Sequence, residues 1–147
     1  MKILFVNKDA YYSKNRVEML QENGFEVIFR QNASEVFEVF GGPKESWPDI
    51  LVMDNFLPPG NTEQVNASNT LDFIRTGKVI YEIIREKQIT TPTLIYTTER
   101  DGYEELCELC KNDSRLTVVY ECATNSTNTI TIMAELKKFA QSLKTPA

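Results

Sequence analysis

Short apolar runs alternate with stretches of helical spacing along the whole chain. The run "KILFV" (2–6) reads as a buried strand. After it, "YSKNRVEMLQENG" puts Val17, Met19 and Leu20 on one helical face, with Gly24 as the stop. "FEVIFR" (25–30) reads as a second strand, and "ASEVFEVFGG" sets Val36, Phe37 and Phe40 together before a glycine pair ends that helix. "PDILVMD" (48–54), "TPTLIYTT" (91–98) and "RLTVVYE" (115–121) predict strands three, four and five. Between them lie a helix ending in "GKVIYEIIREKQ", with Ile80, Ile83 and Ile84 in one stripe, and a shorter one, "GYEELCELCKN". The last pattern, "NTITIMAELKKFAQSLK", aligns Ile132, Met133, Leu136, Phe139, Ala140 and Leu143. Apolar strands alternating with amphipathic helices predict an α/β fold, a doubly wound five-stranded parallel sheet with helices on both faces. The 147 residues suit one core, so a single domain over 1–143 and a tail at 144–147 are expected.

In open sheets of this kind the carboxyl ends of the strands border a crevice where ligands collect. Asn7, Lys8 and Asp9 follow strand one, Asp54 ends strand three, Thr97 and Thr98 end strand four, and Glu121 ends strand five. Any one of them alone is an ordinary polar residue entering a solvated loop. Together on one sheet edge they point to a binding site.

The stretches "MKILFVNKD", "PDILVMDNFLPPG" and "GKVIYEIIREKQITTPTLIYTT", with the final helix, resemble the response-regulator receiver domain, the flavodoxin-like phosphoacceptor module of two-component signalling. The similarity runs over about residues 1–143. It implies that Asp54 is the phosphoacceptor, that Thr97 contacts a phosphoryl oxygen, and that Asn7, Lys8, Asp9, Asn55, Thr98 and Glu121 line the pocket. It also implies Mg²⁺ on an acidic pair after strand one and a lysine after strand five. This sequence departs at both places. Asn7-Lys8 stands where the acidic pair belongs, with Asp9 one place late, and Glu121-Cys122 replaces Lys-Pro. The aromatic switch position of strand five falls on Val118.

Two readings follow. In the first the domain is a pseudo-receiver: Lys8 and Glu121 hold Asp54 in a fixed network, no cofactor is needed, and the chain acts by protein contact. In the second Asp54 is still phosphorylated by a histidine kinase, with Asp54, Asp9 and Glu121 holding Mg²⁺. A lysine beside Asp54 opposes a divalent ion, which favours the first. The partner implied is a signalling protein, a histidine kinase or an output domain. The family's dimer face, here 101–143, makes a homodimer an expectation as well.

Charge and composition narrow the alternatives. A net charge of −5 with scattered Lys and Arg gives no footprint for nucleic acid or an anionic membrane. The apolar run at the start is too short for a signal segment and no stretch approaches a membrane span, so a cytoplasmic protein is expected. Three cysteines fit reduced thiols, and "CELC" (107–110) lies in a predicted helix without a histidine or fourth ligand for zinc. Trp47 is expected to pack at the entry to strand three. No glycine-rich phosphate loop follows strand one, which counts against a flavodoxin or a dinucleotide-binding domain. The chain has no histidine to activate a nucleophile, so the enzymatic alternative is a small α/β enzyme using Asp54 and Lys8. Apart from self-phosphorylation on Asp54, no enzyme activity is expected. The polar stretch "NTEQVNASNTLDFIRT" (61–76) has two readings: the third helix starts near Thr70, or it starts at Gly77 and 61–76 forms a lid over Asp54.

Overall fold

Five parallel strands form one sheet in the order β2-β1-β3-β4-β5. The structure is a computed structural model that describes residues 1–121, 133–139 and 141. The strands are β1 (Lys2–Val6), β2 (Glu26–Arg30), β3 (Ile50–Asp54), β4 (Thr93–Thr97) and β5 (Leu116–Tyr120). The helices are α1 (Ala10–Glu22), α2 (Ala33–Gly41), α3 (Thr76–Glu86), α4 (Arg100–Cys110) and α5 (133–139). Cys122, Ile132, Ala140, Leu143 and the 144–147 tail, all singled out from the sequence, lie outside the described residues.

Because side chains alternate along a strand, the sheet feeds two cores. Leu4, Val6, Leu51, Met53 and Ile95 face one way, where Val36 and Phe40 of α2, Ile80 and Ile84 of α3, and Leu106 of α4 cover them. Ile3, Phe5, Ile50, Val52, Leu94 and Tyr96 face the other way, under Leu20 of α1 and Met133, Leu136 and Phe139 of α5. The three central strands are thus buried on both sides, which is why their sequences are continuous apolar runs.

Helix ends follow local chemistry. Asp9 caps α1 by accepting from the Tyr12 N–H at 2.9 Å, and Asn32 caps α2 by accepting from the Glu35 N–H at 3.0 Å. Past the C-cap Asn23, Gly24 takes the left-handed φ of +90° and α1 stops there. Trp47 packs edge-on against Phe40 and donates to the Gly42 carbonyl, just ahead of β3.

The stretch after β3 is not an early helix, and the later of the two expected starts for the third helix fits, though the segment does not form a lid. α3 begins at Thr76, and of residues 61–76 only Ile74 lines the Asp54 cavity. The segment is instead anchored inward: Val65 is buried in the α2–α4 core, and Thr70 is buried with its hydroxyl accepting from the Phe73 N–H at 2.8 Å. Leu71, Asp72 and Phe73 all adopt φ between +54° and +71°, a left-handed run that carries strain for residues with a Cβ.

Gly77 fixes where α3 sits. A Cβ there would lie 2.8 Å from the Asp54 carbonyl oxygen and 2.9 Å from the Asn55 Cα, both backbone atoms that cannot swing aside. We predict that Gly77→Ala lowers the unfolding free energy by about 1–3 kcal/mol, the usual range for overpacking. Urea denaturation checks this, and an unchanged midpoint would contradict the close approach.

Candidate functional site

The carboxyl edge of the sheet opens into a cavity of about 490 Å³. Parallel register brings its parts together: Asp54 pairs with Tyr96 on β4, and Val6, the last residue of β1, pairs with Met53. Asn7, Lys8, Asp9, Asp54, Thr97, Thr98 and Glu121 all line the cavity, as the strand ends suggested. Tyr12, Phe56, Ile74 and Glu99 complete its wall, and none of these four stood out in the sequence.

Asn55 does not line it. Its side chain is fully buried and turned towards the start of α3, where its Oδ1 accepts from the Lys78 N–H at 2.9 Å. It therefore positions α3, and its assignment to the pocket is corrected.

Lys8 does not pair with Asp54 or Glu121 either. Its Nζ lies 3.7 Å from the centre of the Phe56 ring, a cation–π contact at the cavity rim. The ion pair at this end of the sheet belongs to a residue the sequence reading passed over. Arg16 Nη2 lies 2.8 Å from Glu121 Oε1, with both side chains about 95% buried or more. The same Nη2 donates to the Tyr12 hydroxyl at 2.6 Å, and the guanidinium lies 4.7 Å from the Tyr12 ring and 5.5 Å from the Tyr96 ring. The available signal was the spacing of Ser13, Arg16 and Leu20, which share the buried face of α1. Burial pushes the Glu121 carboxyl up from its ordinary value, and Arg16 pulls it back.

Asn7 is held at both ends of its amide: its Nδ2 donates to the Tyr96 hydroxyl at 2.7 Å and its Oδ1 accepts from the Asp9 N–H at 2.8 Å. The Tyr96 hydroxyl is fully buried, and desolvation holds it protonated far above its ordinary range. Thr97 is buried, with Oγ1 accepting from the Glu99 N–H at 3.2 Å.

Asp54 accepts a single hydrogen bond, from the Phe56 N–H at 3.0 Å, and forms no ion pair among the described residues. Desolvation raises its pKa to about 6, with Glu121 pushing the same way and Lys8 and Arg16 opposing.

No family model matches the sequence, and no curated protein sequence does. Solved structures do match. The receiver domain of the Francisella response regulator 1452 is 18% identical, with 97% of this chain and 98% of that one covered and a TM-score of 0.66. The non-phosphorylated HemR receiver domain from Leptospira biflexa is also 18% identical, with coverage of 94% and 92% and a TM-score of 0.64. TrrA from Thermotoga maritima, in complex with Mg²⁺-BeF, is 18% identical, with coverage of 94% and 97% and a TM-score of 0.63. The chain has the receiver fold.

Within the receiver fold, Asp54 ends β3 and Thr97 ends β4. Mg²⁺, which the resemblance implies, does not fit the donor set here. Among the described residues no three His, Cys, Asp or Glu side chains converge as a metal-holding group. The trio Asp54, Asp9 and Glu121 does not converge as such a group: Asp9 caps α1 through Oδ1, and Glu121 faces Arg16. The Cys107–Cys110 pair sits half-buried on α4, where burial pushes the Cys110 thiol up to about 11. At the switch position, Val118 packs into the core, while Tyr120 is exposed beside Tyr103 with ring centroids 5.3 Å apart. No helix among the described residues is long and apolar enough to cross a membrane.

Asp54 yields a pH prediction. A folded pKa near 6 against an ordinary 3.8 means that the fold binds a proton more readily than the unfolded chain. The ionised carboxylate therefore costs nothing below about pH 4, and the cost grows until it is complete above about pH 6. Asp54→Asn keeps the oxygen that accepts from Phe56 and removes the charge. We predict that it stabilises the protein by about 1–2 kcal/mol at pH 7.5, after allowance for solvent screening, and by almost nothing at pH 4. Thermal unfolding at the two pH values checks this, and an equal effect at both would contradict it.

Proposed function

We propose that this chain is a receiver-type signalling domain that acts by protein contact and carries no phosphoryl group on Asp54. The observation that carries this reading is the buried Arg16–Glu121 ion pair. Phosphoryl transfer is driven by positive charge aimed at the transferring oxygens. Here the buried guanidinium already faces a carboxylate, and the ammonium of Lys8 rests on Phe56. Asp54 thus keeps the acceptor's place without the charges that acceptor chemistry draws on. On this reading the domain is not an enzyme and needs no cofactor.

A signalling protein, either a histidine kinase or an output domain, is the partner class this reading implies, in a cytoplasmic setting. Self-association through the 101–143 face belongs to the same proposal. The exposed Tyr120, packed beside the half-buried Tyr103, supports it from the described part of that face.

The test is intact mass after incubation with acetyl phosphate, with and without Mg²⁺, for the wild type and Asp54→Asn. The expected result is no phosphate-sized gain in either protein under either condition. A gain that needs Mg²⁺ and vanishes in the variant would overturn the proposal and establish a phosphorylation-competent receiver.

A further inference from the structure

The Asp54 cavity is built for a class of ligand different from a phosphoryl group. Its volume of about 490 Å³ falls in the range of small-molecule sites. Four carboxylates border it, Asp9, Asp54, Glu99 and Glu121. Two of them face a guanidinium: Glu121 pairs with Arg16, and Glu99 caps α4 while paired with Arg75. Among the described residues Asp54, like Asp9, accepts one backbone N–H, but Asp9 is exposed whereas Asp54 is half-buried at the end of β3.

Besides Asn7, Lys8, Thr97 and Thr98, the remaining wall is aromatic and apolar. Tyr12 is 50% exposed and Phe56 39% exposed, two of the few large hydrophobic side chains that the fold leaves open to solvent. Both turn towards the same cavity as Asp54, with Ile74 beside them. Aromatic faces and a carboxylate attract a cation and repel an anion. Phe56 already behaves this way, since the Lys8 ammonium rests 3.7 Å from its ring centre.

Other ligand classes fit worse. A divalent metal lacks three converging ligands among the described residues. An inorganic anion would meet four carboxylates against the single ammonium of Lys8 among the described lining residues, and a neutral apolar molecule would dehydrate Asp54 without neutralising it. An organic cation supplies the missing charge to Asp54 and lays its alkyl part on Ile74 and the rings.

We propose that the cavity binds a small alkylammonium or alkylguanidinium cation, with its charged head on Asp54 and its body against Phe56 and Tyr12 in place of the Lys8 ammonium. The inference rests on Asp54 staying free of a phosphoryl group, as the functional reading above holds.

Lys8 gives the inference its sharpest consequence. It competes for the Phe56 face and repels an incoming cation, so removing its charge should tighten cation binding, whereas for an anionic ligand the same change should weaken it. The experiment is a titration of the ¹⁵N-labelled full chain with butylammonium and with butylguanidinium, with butyrate as the anionic control, followed at the amides of Asn55, Phe56, Thr97 and Thr98. Both cations should give saturable shifts and butyrate none. Asp54→Asn should weaken binding about tenfold or more, the scale of a lost charge-assisted hydrogen bond. Phe56→Leu, which leaves every ion pair intact, should weaken it severalfold, and Lys8→Met should tighten it. The absence of saturable cation shifts, butyrate binding as well as the cations, or weaker cation binding by Lys8→Met would each overturn the inference. Failure here is distinct from failure of the functional reading, which is scored by covalent mass. A chain that takes neither phosphate nor cation overturns only the cation site.

Discussion

The ion pair between Arg16 and Glu121 is the constraint on which the site depends. It joins the middle of α1 to the residue that follows β5, across the end of the sheet, with both groups out of water. Burying two charges is expensive, and removing one partner of such a pair commonly costs about 3–5 kcal/mol because the other is stranded. On the proposed reading, neither residue serves an incoming phosphoryl group. Tyr12 and Tyr96 enclose the guanidinium, so the same contact sets the aromatic wall of the cavity and the environment that Asp54 feels. An acid at the tip of a buried strand is here a carboxylate facing a cavity, not half of a network.

A second constraint acts from the far side. The segment between β3 and α3 is tied down by Val65 and Thr70, passes through the left-handed run at Leu71–Phe73, and delivers Arg75 to the start of α4. Arg75 is buried and contacts Glu99 and Glu105, while Lys78 Nζ lies 3.3 Å from Glu105. Glu99 caps α4 and borders the cavity at the same time. The position of α4 and one wall of the site are thus set by a segment that reads in sequence as a polar loop. Gly77 closes the arrangement from beneath, since only a residue without a Cβ lets α3 start against the Asp54 backbone.

The architecture was legible because central strands buried on both faces must be apolar throughout, and the helices between them must show one apolar stripe. Asp54, Thr97 and the strand-one loop were legible for the same reason, since topology alone brings strand ends to one edge. Arg16 was not, because a charged residue on a helix reads as solvent-facing unless its buried partner is known, and Glu121 lies 105 positions further along the chain. Lys8 was placed at the right site with the wrong contact: composition cannot tell whether an ammonium will seek a carboxylate or an aromatic face. The direction of Asn55 and the left-handed turn at Leu71–Phe73 depend on packing that no local pattern encodes.

The central proposal is that burial and the charges of this chain set the ionisation of Asp54, without a metal ion. The most direct measurement is the titration of the Asp54 side-chain ¹³Cγ resonance, in the absence of metal and in millimolar Mg²⁺. The account predicts a midpoint near pH 6 that Mg²⁺ leaves in place. A midpoint in the ordinary carboxylate range, or one that Mg²⁺ drives down, would contradict it.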